Sequence, residues 1–160
     1  MKKWLIIGLV VLIFIIWQGI AIYRDALSDK NSGNHFAVEQ AEAQYDIRKI
    51  KSVTPFYGKQ AYHVVEATLQ NNSSVYIWVP DKKSDHRLKM LPISSGFSKA
   101  EILHAFKAQV PYKRIISTSL GMIDDQPAWE IVYIDNESHY VFSYYDFHNG
   151  DSLSAPIALK

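Results

Sequence analysis

The 160 residues contain no cysteine. That absence removes disulfide stapling, thiol catalysis and cysteine-ligated metals together, so stability has to come from packing. Glycine is scarce as well, with seven residues in all, few for an enzyme built on tight active-site loops. The sequence has no G-x-S-x-G, no glycine-rich phosphate loop and no H-E-x-x-H. It also lacks S-x-x-K and K-T-G, the pair that serine acyl-transferases of the β-lactamase type require. The six histidines, His35, His63, His86, His104, His139 and His148, show no paired spacing such as i, i+4. No metal, no cofactor and no catalytic residue is therefore expected, and Asp124, Asp125 and Asp146 read as solvated turn acids.

Charge of one sign is the other thing missing. Beyond residue 23 the chain holds 15 Lys plus Arg against 16 Asp plus Glu. Such a balance offers no electrostatic footprint for nucleic acid and no polybasic lipid-binding patch.

What the chain does have is one long apolar run, Trp4 to Tyr23, with no charge and a single amide, Gln18. At about 1.5 Å per residue such a helix covers roughly 30 Å, the thickness of a bilayer's hydrocarbon core. Thirteen of its residues are Leu, Ile, Val or Phe, and their insertion energies sum to roughly −6 kcal/mol. Trp4, Trp17 and Tyr23 sit where interfacial aromatics are expected, Phe14 lies in the apolar body, and Lys2 and Lys3 precede the run. These residues read as a single-pass anchor. A cleaved signal peptide is the alternative, since Gly19 and Ala21 supply small residues two apart, but the run is longer than a signal peptide requires. Either way, residues 24–160 are expected outside the cytoplasm. Arg24 and Lys30 beyond the run leave the orientation signal weak.

Residues 24–34, RDALSDKNSGN, read as a short polar stalk. From Phe36 the sequence FAVEQAEAQYDIRKI places Ala37, Val38, Ala41 and Tyr45 on one helical face. Asn34 is a usable N-cap, and Arg48, Lys49 and Lys51 fall at the C-terminal end, as a helix dipole prefers. Strand-like runs follow at 53–57, 62–69, 75–79 and 87–93, with Asn71-Asn72-Ser73-Ser74 as a hairpin turn. Ser98 and Glu101 form a capping box opening a second helix, whose apolar face is Ile102, Leu103, Phe106 and Val110 and which Pro111 ends. Further strands are expected at 114–123, 128–134, 140–147 and 155–159. Helix and four strands thus occur twice. Ala61-Tyr62-His63-Val64-Val65 echoes Ala128-Trp129-Glu130-Ile131-Val132 at an offset of 67. Each unit is expected to be a helix on a small antiparallel sheet, an α+β arrangement. Units of about sixty residues are marginal alone, so the two should share an interface.

Aromatic residues are abundant, with ten Tyr, seven Phe and four Trp. In 75–79 Tyr76 and Trp78 oppose Val75, Ile77 and Val79. In 140–147 Tyr140, Phe142 and Tyr144 oppose Val141, Ser143, Tyr145 and Phe147. Both faces of each sheet are therefore apolar. One should cover its own helix, and the other is either the contact between units or a partner surface. Tyr62, Tyr76, Trp78, Trp129, Tyr144 and Tyr145 are the candidates for that second face.

The anchor followed by AYHVVEATLQNNSSVYIWVP and AWEIVYIDNESHYVFSYYDFHNG resembles the TseB-like (YpmB) family of Gram-positive bacteria. The residues that carry the likeness are Tyr62, Val64, Val65 and Val75 to Pro80 in the first unit. In the second they are Trp129, Glu130, Tyr133 and Tyr144 or Tyr145 through Asp146, Phe147 and Gly150. The resemblance implies two tandem PepSY-like, cystatin-like units on the outer side of the cell membrane, here 35–95 and 96–160. It implies a non-enzymatic regulator of cell-wall elongation that binds a penicillin-binding protein, a transpeptidase. A peptidase-inhibitory or chaperone-like module, and an envelope glycan or small-ligand module using the aromatic faces, are the alternatives. The partner's identity, the direction of regulation and the oligomeric state stay open.

Overall fold

The computed structural model describes residues 14–18, 32–81 and 87–159. Residues 14–18 are helical, and Phe14 and Trp17 stand exposed on that segment with ring centroids 6.4 Å apart. Trp4, Tyr23, the rest of the apolar run and stalk residues 24–31 lie outside the described residues. Among the described residues no helix is long and apolar enough to cross a membrane.

The described residues from 32 onward form two four-stranded antiparallel meanders, each preceded by a helix. Helix α1 (32–44) leads to β1 (Ile47–Tyr57), β2 (Ala61–Leu69), β3 (Ser74–Pro80) and β4 (Lys89–Pro92), paired in that order. A 3-10 turn at Ile93–Ser95 leads to α2 (Lys99–Gln109). Then come β5 (Arg114–Ile123), β6 (Gln126–Ile134), β7 (Tyr140–Asp146) and β8 (Ile157–Leu159), again in sequence order. This is the α+β duplication expected from the sequence.

Two local expectations are corrected. The first helix neither starts after an Asn34 cap nor runs to residue 50. Residues 32–34 are already helical, so this end of the expected stalk is not a break, and the helix closes with Tyr45 N–H donating to Ala41 O at 2.9 Å. Ile47, Ile50 and Val53 instead pair with Leu69, Ala67 and Val65 across β1 and β2, where β-branched side chains meet a half-buried sheet. The basic residues read as a helix end line this strand. Arg48 bonds Asn72, and Lys51 reaches Glu66 and Ser74 at 3.3 Å each.

The repeat is real but its register is 66, not 67. The five-residue turns after β2 and β6 carry the same hydrogen bonds. Leu69 N–H donates to Ser73 O and Asn72 N–H to Leu69 O, as Asp135 N–H does to His139 O and Ser138 N–H to Asp135 O. Asn72 and Ser138 hold matching positive φ angles of 68° and 72°. Pairs Thr68 with Ser74, and Tyr76 with Leu91, recur as Ile134 with Tyr140, and Phe142 with Ile157. The one-residue difference matters because it moves every side chain to the opposite face.

In the correct register the two units agree. Helix α1 sets Ala37 and Ala41, both fully buried, against Val65, Ala67, Val75, Ile77 and Val79. Sixty-five residues after Ala37 and Ala41, α2 sets Ile102 and Phe106 against Ile131, Tyr133 and Val141, which lie sixty-six residues after Val65, Ala67 and Val75. Helix α2 begins with the expected capping box, in which Glu101 N–H donates to Ser98 Oγ at 3.3 Å and Ser98 N–H to Glu101 Oε2 at 2.8 Å.

Candidate functional site

The face of the first sheet turned away from α1 carries Phe56, Tyr62, Val64, Tyr76 and Trp78, and the second unit sits on it. Tyr62, Val64 and Trp78 share one continuous core with Leu120, Met122, Trp129 and Phe147. The Trp78 indole N–H donates to the Gly121 carbonyl at 2.8 Å. Gly121 is required there, since a Cβ would stand 2.3 Å from the Phe56 ring. Phe147 meets Tyr76 and Trp78 edge to face, at 6.1 and 6.0 Å. Gly96 completes the fit, because a Cβ at that position would lie 2.4 Å from the Phe147 carbonyl.

Magnitudes decide what joins the units. Full burial of an apolar side chain contributes about 1.5–3 kcal/mol, and Tyr62, Val64, Trp78 and Phe147 are all buried here. The ion pair that links the units' turns, Lys59 to Asp124 at 3.1 Å, has both side chains more than two-thirds exposed. Exposed pairs contribute about 0–1 kcal/mol. The apolar contact is the joint.

Tyr62, Tyr76 and Trp78 therefore lie between the units. Trp129 is 3% exposed and donates its indole N–H to Phe97 O at 2.8 Å, while Tyr145 packs on Phe106 with ring centroids 6.2 Å apart. A cleft of about 270 Å³ remains where the units diverge, with hydroxyls from Ser52, Thr54, Thr118 and Ser119 beside Glu66 and Lys99. Trp129 borders it almost wholly covered, and Trp78 is fully buried, so neither indole offers a face on which a sugar ring could stack.

Tyr144 is different. It lies on the outer face of the second sheet opposite Glu130. Burial raises the Glu130 carboxyl above its usual range, and burial together with the Glu130 charge pushes the Tyr144 hydroxyl up to about 12. On the same face, Tyr140, Phe142, Val132, Ile157 and Leu159 surround this pair. Of these residues the sequence-derived candidates include only Tyr144. The signal for the others was the two-residue alternation Tyr140, Phe142, Tyr144, which becomes decisive once β8 is known to extend that face.

His63 is the one buried imidazole among the described residues, 5% exposed, with no hydrogen bond to Nδ1. Burial lowers its pKa, and Asp81 opposes that shift. Among the described residues no group of three or more His, Asp or Glu could hold a metal ion.

Comparison with known proteins gives two domain matches. Residues 37–80 match the cell wall elongation regulator TseB-like domain, and residues 97–154 match the peptidase propeptide and YPEB domain, PepSY. The chain is 28% identical over 145 residues to the probable cell wall elongation regulator TseB of Bacillus subtilis (strain 168), covering 90% of this chain and 89% of that protein. The solved YpmB protein from Bacillus subtilis superposes with a TM-score of 0.73 at 26% identity, over 79% of this chain and 98% of that one. The chain thus carries a TseB-like match followed by a PepSY match and is similar along most of its length to the TseB and YpmB proteins of Bacillus subtilis, in line with the family its own residues resemble.

Proposed function

We propose that this chain is a non-enzymatic regulator of cell-wall elongation, held at the outer surface of the membrane by residues 4–23, that acts by binding a penicillin-binding transpeptidase. The observation that carries the reading is the joined pair of sheets: a relative named as a probable regulator of cell wall elongation shares nearly the whole chain, and the aromatic residues serve packing and surface rather than a reaction centre. Crosslinking in living cells followed by affinity capture of the full-length chain is expected to recover a penicillin-binding protein. Recovery of none, with normal cell width after deletion, would sink the reading. Mass spectrometry of the mature chain tests the anchor separately, since a protein beginning at Ile22 would be a released one.

A second reading, inhibition of an extracellular peptidase, draws support from the propeptide description attached to residues 97–154. Slowed hydrolysis by a secreted protease in the presence of the full-length chain would favour it, and an unchanged rate would remove it.

A further inference from the structure

Antiparallel sheets covered by a helix on one face normally turn a polar face to water. Over β7, β8 and the end of β6 the second sheet does not: its outer face there carries Ile134, Tyr140, Phe142, Ile157 and Leu159, none of which belongs to either buried core, around the buried Val132. Tyr140 is 47% exposed, Ile157 51% and Leu159 55%. The three are neighbours, because Tyr140 pairs with Leu159 and Phe142 with Ile157. This is a contiguous apolar patch, the kind of surface that marks an interaction site on a soluble domain.

The duplication says what such a face accepts. At the offset of 66, Tyr76, Trp78 and Leu91 of the first sheet correspond to Phe142, Tyr144 and Ile157 of the second. In the first unit this face is covered by a folded protein unit, which seats the Phe147 ring between Tyr76 and Trp78 and supplies a backbone carbonyl to Trp78. A second copy of the chain cannot repeat that contact, because its own Phe147 surface is already buried against its own first sheet.

We infer that the outer face of the second sheet, centred on Tyr140, Phe142, Ile157 and Leu159, is the docking surface for a separate folded protein domain that presents an aromatic or aliphatic ridge. The partner used to test this is the transpeptidase of the proposed function, and to that extent the inference rests on that reading.

A photoreactive phenylalanine analogue is placed singly at positions 140, 157 and 159 of the full-length chain in cells, with position 57 as control. Tyr57 is 72% exposed and lies at the end of β1, in the first sheet. Transpeptidase adducts from 140, 157 and 159 and not from 57 support the docking face. Transpeptidase adducts from 57 alone, or from no position, overturn the face and leave the proposed function to be decided by affinity capture and cell width. Adducts between two copies of the chain would make the patch a homodimer contact, again overturning the inference. In a second measurement, the triple variant Y140S/I157S/L159S is titrated with purified transpeptidase. Affinity is expected to fall about tenfold or more with an unchanged Tm, since all three side chains are exposed. Unchanged affinity overturns the inference, as does loss of binding to phosphatidylglycerol vesicles with transpeptidase affinity intact, which would assign the patch to the membrane surface.

Discussion

The indole of Trp78, on the third strand of the first sheet, donates its hydrogen to the main-chain carbonyl of Gly121 in the second unit, 2.8 Å away and out of contact with water. The two residues are 43 positions apart, and their bond fixes how one sheet sits on the other. Trp78→Phe keeps most of the ring and removes the donor, leaving a buried carbonyl unpaired. The expected loss is about 1–3 kcal/mol, read as a lower midpoint in urea with an unchanged slope. A wild-type midpoint would mean that the units are held without this bond.

Gly121→Ala should be destabilising for a steric reason, since its Cβ would fall 2.3 Å from the Phe56 ring. Overpacking of this kind costs about 1–3 kcal/mol. In a double-mutant cycle with Phe56→Leu the two changes should couple favourably, by about 0.5–3 kcal/mol for residues in contact. Strict additivity would show that the ring and the glycine do not constrain one another.

The turn between β5 and β6 places two non-glycine residues, Asp124 and Asp125, at φ of 47° and 63°. Two-residue hairpins of this hand favour Asp-Gly or Asn-Gly, because only glycine adopts the second position without strain. Asp125→Gly is therefore expected to raise stability by about 0.5–1 kcal/mol, visible as a higher Tm. A fall would show that contacts of the aspartate side chain outweigh its backbone strain.

His63 sits under the first turn of α1, where a Cβ on Gly33 would come within 2.7 Å of its Nε2. Burial lowers its pKa below the usual 6.5. The folded state therefore binds the proton less readily than the unfolded chain. Stability is full above about pH 6.5 and is lost as the pH falls from there toward the folded-state pKa. His63→Leu should flatten the stability profile between about pH 7 and 5. A mutant profile as steep as that of the wild type would place the titration elsewhere.

Glu130 works in the opposite sense. Its carboxyl is raised by burial, so its contribution is fully present below the unfolded value near 4.5 and is lost as the pH rises through the folded-state pKa. Glu130→Gln should be more stable than wild type at neutral pH and no more stable at pH 4. Equal effects at both would mean that the pairing with Tyr144 outweighs desolvation.

Particular residues show which parts of this architecture could be read without coordinates. The hairpin turns were legible because Asn71-Asn72-Ser73-Ser74 and Asp135-Asn136-Glu137-Ser138 are runs of turn-forming residue types. The second helix was legible because Ser98 and Glu101 announce its start. The end of the first helix was not, since Tyr45 to Lys51 satisfies a helical face as well as an edge strand, and only pairing with β2 decides between them. The repeat was read one residue out because alanine followed by an aromatic recurs at 61 and 128, whereas the matching turns lie at 69 and 135. That slip hid which face of the second sheet corresponds to the one buried on the first. Because both faces are apolar, alternation could not separate Tyr76 and Trp78, which close the joint, from Tyr140, which stays open.

The sequential order of the strands sets a timetable for synthesis. Every pairing of the first sheet lies within residues 47–92, so that sheet can close before the second half of the chain has emerged. Its contact face then waits for Phe147, the ring that covers Tyr76 and Trp78. At ~5–20 residues per second the interval lasts several seconds. Until Leu120, Met122, Trp129 and Phe147 arrive, Tyr62, Val64 and Trp78 lack their full cover, and the emerging chain is open to association with its neighbours.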